Sequence, residues 1–279
     1  MAKLPPTMEW LSSRTLHGWA LKLNRANQLL RELSSEIDWY GSAGPVRCAT
    51  EPDRDSPGKY RILVDRIDPV PLKLAALVGD CVQNYRAALD HMVWLLAGTE
   101  ATQQTEFPIF GSRSKYGQAR SKRLAGLTDG QKRLIDTFQP LEDDPDREQY
   151  KPLRNLHLLS NEDKHRRIYL MALSGKASHL GVANLNIPLF EPARAIEEGM
   201  QLGSYSEAEL RLAAGIGGAQ PLREGPRANI RVGLKINVAF GSGPLEGLVV
   251  LDVLNPICDL TLRVLTELDE TTPMPLSNS

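Results

Sequence analysis

The chain has 279 residues, 42% of them hydrophobic and 24% charged, with a formal net charge of −1. That balance excludes a disordered chain and gives no overall attraction for nucleic acid or acidic membranes. The length suits one domain or two joined lobes, and no run reaches the ~18–20 apolar residues that a membrane-spanning helix needs.

In chain order, helical spacing of Trp10, Leu11, Ala20, Leu21, Leu23, Leu30, Leu33 and Ile37 predicts a first helix over about Glu9 to Tyr40, closed by Gly41 and Gly44. A hairpin is expected over residues 46–67. Val46 to Thr50 and Tyr60 to Ile67 are its β-rich arms, and the polar stretch Asp53 to Gly58 is the turn. Pro71 suits the first turn of the next helix, about Leu72 to Ala97. Two shorter helices follow at about Lys115 to Leu124 and about Asp129 to Phe138, with Thr128 as N-cap of the second. A further helix is expected from about Pro152 to Leu173, terminated by Gly175.

Beyond Lys176 the pattern turns to strands: His179 to Leu189, Gln201 to Tyr205, Arg227 to Phe240 and Gly247 to Val253. A last helix is expected over about Pro256 to Leu268, and Thr271 to Ser279 reads as a loose tail. The fold class is therefore α+β. A helical bundle (about 9–175, with the early hairpin) packs beside a mostly antiparallel sheet (about 178–270) in a single domain.

Cys48, Cys81 and Cys258 are far apart and match no metal or disulfide spacing, so they read as packing residues in a reducing compartment. The start of the chain lacks the apolar core of a signal peptide, and the expected location is the cytoplasm. No metal or cofactor is called for by any motif: Gly215 to Gly218 lacks a phosphate-loop pattern, and the signatures of zinc proteases and serine hydrolases are missing. Charge is uneven. Seven basic residues between Arg113 and Arg133 face one acid, and an acidic run follows at Glu142 to Glu148. Both read as solvated surface, or the basic run as a face that could hold an RNA phosphate backbone.

Two helices carry polar residues where packing should be apolar. On the 72–97 helix, Asp80, Asn84 and His91 fall within roughly 40° of one another, whereas Arg86 lies roughly 140° from His91. Asp80, Asn84 and His91 could form a buried network that fixes helix register, leaving Arg86 and Asp90 as a weak pair on the wet side. On the later helix, His157, Asn161 and His165 share one stripe, with Lys164 and Arg166 nearby, while Asp163 points away from it and could pair with an arginine. His157 and His165 are ~12 Å apart along the axis and cannot share one ion.

Arg86 and His91 have the R-x4-H spacing of HEPN-type ribonucleases, which this segment resembles. The resemblance implies metal-independent RNA cleavage with His91 as acid/base and Arg86 as phosphate clamp, at a site composed across a homodimer. Ala87 departs from the polar residue that family usually carries after the arginine. Asn84, Arg86, Leu89, Asp90 and His91, followed by Asn161, Asp163, Lys164, His165 and Arg166, also resemble a family of uncharacterised proteins common in actinobacteria and their phages, which implies no activity. The expected site therefore joins the two helices. His91 and His165 supply acid/base chemistry, Arg86, Lys164 and Arg166 hold phosphate, and Asn84 and Asn161 orient the imidazoles. The alternative is a non-catalytic binding or assembly protein in which the same residues are a buried structural network.

Overall fold

The computed structural model describes residues 17–174, 179–182, 185–188, 196–213, 228–230 and 236–272. The fold is α+β. Its described residues fall in two compact units, one within Met1–Leu33, Ala75–Ile168 and Leu251–Ser279, the other within Ser34–Leu74 and Tyr169–Val250. The early hairpin thus belongs with the later strands and not with the helices that flank it in sequence.

The helical unit draws on α1 (Gly18–Ser42) up to Leu33, on α2 (Leu72–Ala97) from Ala75, and on α3 (Arg113–Arg123), α4 (Asp129–Thr137), α5 (Lys151–His165) and α7 (Val250–Asp269) from Leu251. Its core is aliphatic and aromatic: Trp19, Leu23 and Leu33, then Val78, Tyr85, Leu89 and Met92, then Leu153, Leu156, Ile257 and Val264. Thr128 caps α4 through a reciprocal pair, its hydroxyl accepting from the Gln131 N–H while the Gln131 side chain accepts from the Thr128 N–H. Asn27 accepts from the Tyr85 hydroxyl (2.9 Å) and the Cys258 thiol (3.3 Å), which satisfies three polar groups inside this core. Burial pushes the Cys81 thiol up to about 12, as befits a packing residue.

In the second unit, β1 (Val46–Pro52) and β2 (Lys59–Ile67) form the expected hairpin, with Val46 opposite Ile67 and Pro52 opposite Tyr60. Gly58, at φ 85°, takes the left-handed turn position that a side chain would resist. β6 (Gln201–Ser206) and β7 (Ala228–Ile230) complete a four-stranded antiparallel sheet in the order β6-β2-β1-β7. Two further antiparallel pairs are β3 (Leu170–Ser174) with β8 (Ile236–Phe240), and β4 (His179–Val182) with β5 (Leu185–Pro188). A short helix unexpected from the sequence, α6 (Glu207–Ala213), follows β6.

Several expected boundaries are corrected. The helix expected over 152–173 stops at His165: Arg166 turns extended (φ −147°, ψ 162°), and the following apolar run enters β3. That run is β-rich (Ile168, Tyr169, Leu170), so its apolar character continued while its period changed. The strand expected over 179–189 is a hairpin. The strand expected over 227–240 divides between two sheets, its middle lying outside the described residues. Of the strand expected over 247–253, only Val249 makes a bridge, to Ala239, and Val250 already begins α7. Pro256 therefore sits inside that helix, not at its start. Residues before His17 and after Thr272, with parts of the expected first helix and tail, lie outside the described residues.

α2 and α5 run antiparallel and close together. The Gln83 amide donates to the Ser160 carbonyl (3.3 Å) and to the Asp163 carboxylate (3.0 Å), so Asp163 is held by Gln83 and not by an arginine. Gly79 makes the approach possible, since a Cβ there would stand 2.3 Å from Asp163 Oδ1. Gly79→Ala is expected to destabilise the chain by about 1–3 kcal/mol in urea unfolding, despite alanine's better helix propensity. In an Asp163→Ala background the same change should become neutral or stabilising. Equal effects in the two backgrounds would remove the steric account.

Candidate functional site

The polar residues of α2 are sorted oppositely to expectation. Asp80 and His91 are exposed and Asn84 is half-buried, its amide donating to the Asp80 carbonyl of its own helix (2.8 Å). Arg86, expected on the wet side, is only 7% exposed. The reason is that Val82 and Val93 are buried beside the apolar stripe of Val78, Tyr85, Leu89 and Met92, and Arg86 falls on that widened edge. α2 is covered on two sides, so a wheel that assumes one wet face assigns Arg86 wrongly.

Arg86 is held in a closed network. Its Nε donates to Asp90 Oδ2 (3.1 Å), and its Nη2 donates to Asp90 Oδ1 (2.9 Å) and to the Phe107 carbonyl (2.6 Å). The Phe107 N–H donates back to Asp90 Oδ1 (2.9 Å). Burial pushes the Asp90 carboxyl up, against the opposing pull of Arg86 and of that N–H. The pair therefore clamps the loop after α2. Gln139, fully buried, fastens the same loop from a second side, donating to the Pro108 carbonyl (2.9 Å) and accepting from the Phe110 N–H (3.3 Å).

The clamp sets a line of charge. Glu106 lies 3.4 Å from Arg86 Nη2 and 2.8 Å from Arg123 Nη2, and the Arg123 guanidinium sits 4.7 Å over the Phe110 ring. Half-buried His157, on α5, lies within the field of these groups. Burial first, then the charges of Arg86, Arg123 and Lys164, hold its imidazole below the ordinary 6.5, with Glu106 opposing. The Asn161 amide nitrogen stands 3.1 Å from His157 Nε2. That contact sets the orientation of the ring, and the lowered pKa keeps the imidazole neutral at pH 7.

The remaining predicted residues are placed as follows. Asn161, Lys164, His165 and Arg166 are exposed on or just after α5. Asn161 orients His157, not His165. From the contacts of Gly79 and Gln83 with Asp163 and Ser160, His91 and His165 lie at opposite ends of the helix pair, roughly 20 Å apart along the axis at 1.5 Å per residue. They do not form one acid/base pair within the chain, and Arg86 does not turn its guanidinium to His91.

Three arginines of the basic run meet acids within the unit. Arg113 meets Asp143 (3.7 Å) and Asp144 (3.4 Å), Arg120 meets Asp136 (2.7 Å), Arg123 meets Glu106, and Arg154 meets Glu142 (3.0 Å). Of the three, Arg113 alone pairs with the acidic run of residues 142–148, since Asp136 and Glu106 lie outside that run and Arg154 lies outside the basic one. Sequence reasoning missed Glu106 and Arg123 as neighbours of His157, because a loop and the end of α3 bring them there by tertiary packing. The i, i+4 spacing of His157 and Asn161 was the part that could be seen.

Among the described residues, no group of three or more His, Cys, Asp or Glu side chains is placed to hold a metal, and no helix is long and apolar enough to cross a membrane. No family model, no curated protein and no solved structure matches the chain.

Asp90→Ala is expected to cost about 3–5 kcal/mol by leaving Arg86 buried without its carboxylate. The paired change Arg86→Met with Asp90→Leu should recover most of that loss in chemical denaturation, because both buried charges leave together. A double variant no more stable than Asp90→Ala would show that the clamp is not the source.

Proposed function

We propose that the helical unit binds RNA across the exposed face of α5 and cleaves it without a metal, with His157 as the acid/base residue. The observation that carries this reading is a half-buried imidazole, neutral and oriented by Asn161, beside three cationic side chains. Neutral imidazole is the form that accepts a proton, and a cationic surround attracts the phosphodiester beside the ribose hydroxyl that presents one. His157 would take the ribose 2′-hydroxyl proton as that oxygen bonds to the adjacent phosphorus. The bond to the 5′-oxygen then breaks, and the proton returns to that leaving oxygen. Exposed Lys164 and Arg166 are the groups free in position to meet phosphate oxygens. Arg86 contributes its field through the clamp and not a phosphate contact, which moves the chemistry away from His91 and His165.

A second reading, non-catalytic binding or assembly, is favoured by one specific observation: the Arg86–Asp90–Phe107 network is closed, as a purely architectural device would be. One assay separates the two. The purified chain is incubated with a mixed RNA pool in EDTA, beside His157→Gln with its melting temperature checked. Cleavage that survives EDTA and falls roughly 100-fold or more in the variant is expected. Absent cleavage, equal cleavage by a folded variant, or cleavage abolished by EDTA would each sink the catalytic reading.

A further inference from the structure

On the helical unit, and away from His157, His91 opens on a hollow of about 430 Å³ lined by His17, Gly18, Trp19, His91, Trp94 and Leu95. The volume lies within the roughly 300–1,000 Å³ typical of small-molecule sites. Trp94 is 47% exposed and Leu95 39%, on a helix whose neighbouring Met92 and Val93 are fully buried. Gly18 lets the His91 ring sit where it does: a Cβ there would stand 2.5 Å from His91 Nδ1, and the imidazole would have to move. The His17 ring lies nearly parallel to the buried Trp19 indole, 9° between planes at 6.4 Å, so the wall beside Gly18 is also aromatic.

The chemistry of this lining selects its occupant. The six lining residues contain no Lys, Arg, Asp or Glu, so they offer no formal charge pair to a phosphate or carboxylate. They offer instead an exposed indole plane and two imidazole edges, each able to donate or accept. A planar, uncharged heteroaromatic ring with polar edges matches that set. We propose that this hollow is a nucleobase site, in which an unpaired base stacks on Trp94 and turns its polar edge to His91 and His17. The identification of the base as part of an RNA strand rests on the RNA reading above. The site would then hold a base while the α5 face holds phosphate, and His91 would be a binding residue with no part in proton transfer.

The test uses nucleosides, which carry no phosphate and so report the hollow independently of the His157 face. The full chain, labelled with ¹⁵N at the indole nitrogens, is titrated with adenosine and with uridine, and the Trp94 signal is assigned by its loss in Trp94→Ala. A saturable shift of that signal is expected, with no such shift on adding ribose 5-phosphate. Gly18→Ala, which leaves Trp94 in place, should weaken the titration several-fold by moving His91. By equilibrium dialysis, adenosine binding should fall roughly tenfold or more in Trp94→Ala, in line with the loss of one base–aromatic stack. If nucleosides bind but the chain neither binds nor cleaves RNA, the base site stands and the RNA reading fails. No saturable shift, an equal shift with ribose 5-phosphate, or native titration by Gly18→Ala would overturn the proposal. So would a wild-type dimer in sedimentation that Trp94→Ala dissociates, because a second copy would then cover the face.

Discussion

A guanidinium taken out of water must find acceptors, and the helical unit is arranged around meeting that demand at Arg86. The acceptors come from two directions: Asp90, one turn along the same helix, and the carbonyl of Phe107 in the loop beyond it. Because the Phe107 N–H also returns to Asp90, the loop can take only a narrow set of paths. Those paths put Phe107, Pro108 and Ile109 into the core and leave Glu106 between two arginines. The leucine and valine packing of the unit supplies its bulk stability. The clamp supplies register, which non-directional burial does poorly.

The electrostatic setting of His157 follows from that architecture. An isolated imidazole on a helix surface would titrate close to its ordinary value. Here it is half-buried, with Arg86 and Arg123 fixed nearby by Glu106 and Phe107 and with Lys164 about two helical turns along α5. Asn161 then fixes how the ring is turned. A residue buried for structural reasons thus tunes one that reaches solvent. This is also why the motif around Arg86 attracts attention in the sequence while its guanidinium is unavailable for a substrate. The second motif divides similarly: Asp163 locks α5 to α2 through Gln83, whereas Asn161 and Lys164 serve the exposed face.

Local signals were read well where they depend on neighbours in sequence. The bounds of α2, the Thr128 cap and the hairpin turn before Gly58 follow from proline, cap and turn chemistry that acts within a few residues. Errors arose where two tertiary environments gave similar local patterns. The apolar run from Ile168 looked like more helix until its partner strand Ile236–Phe240 was known, and Val250 looked like strand because valine suits both states in a buried setting. The Arg86 face differs from expectation for a related reason: Val82 and Val93 broaden the apolar arc, and its cover comes from packed neighbours. At the site, His157 and Asn161 could be paired from spacing alone. Glu106 and Arg123 could not, because a loop and the end of α3 bring them together.

The most direct measurement is the ring-proton titration of His157 by NMR, assigned with His157→Gln, in the native chain and in Arg86→Met/Asp90→Leu. Below its midpoint the imidazolium meets the fixed cations, so the native midpoint should lie under 6.5. Between that midpoint and 6.5 the unfolded chain binds more protons, so folding stability should also be lost as pH falls through this window. Removing the Arg86 guanidinium should move the midpoint upward. A native midpoint at or above 6.5, or one that stays depressed and unmoved in the folded double variant, would contradict the account.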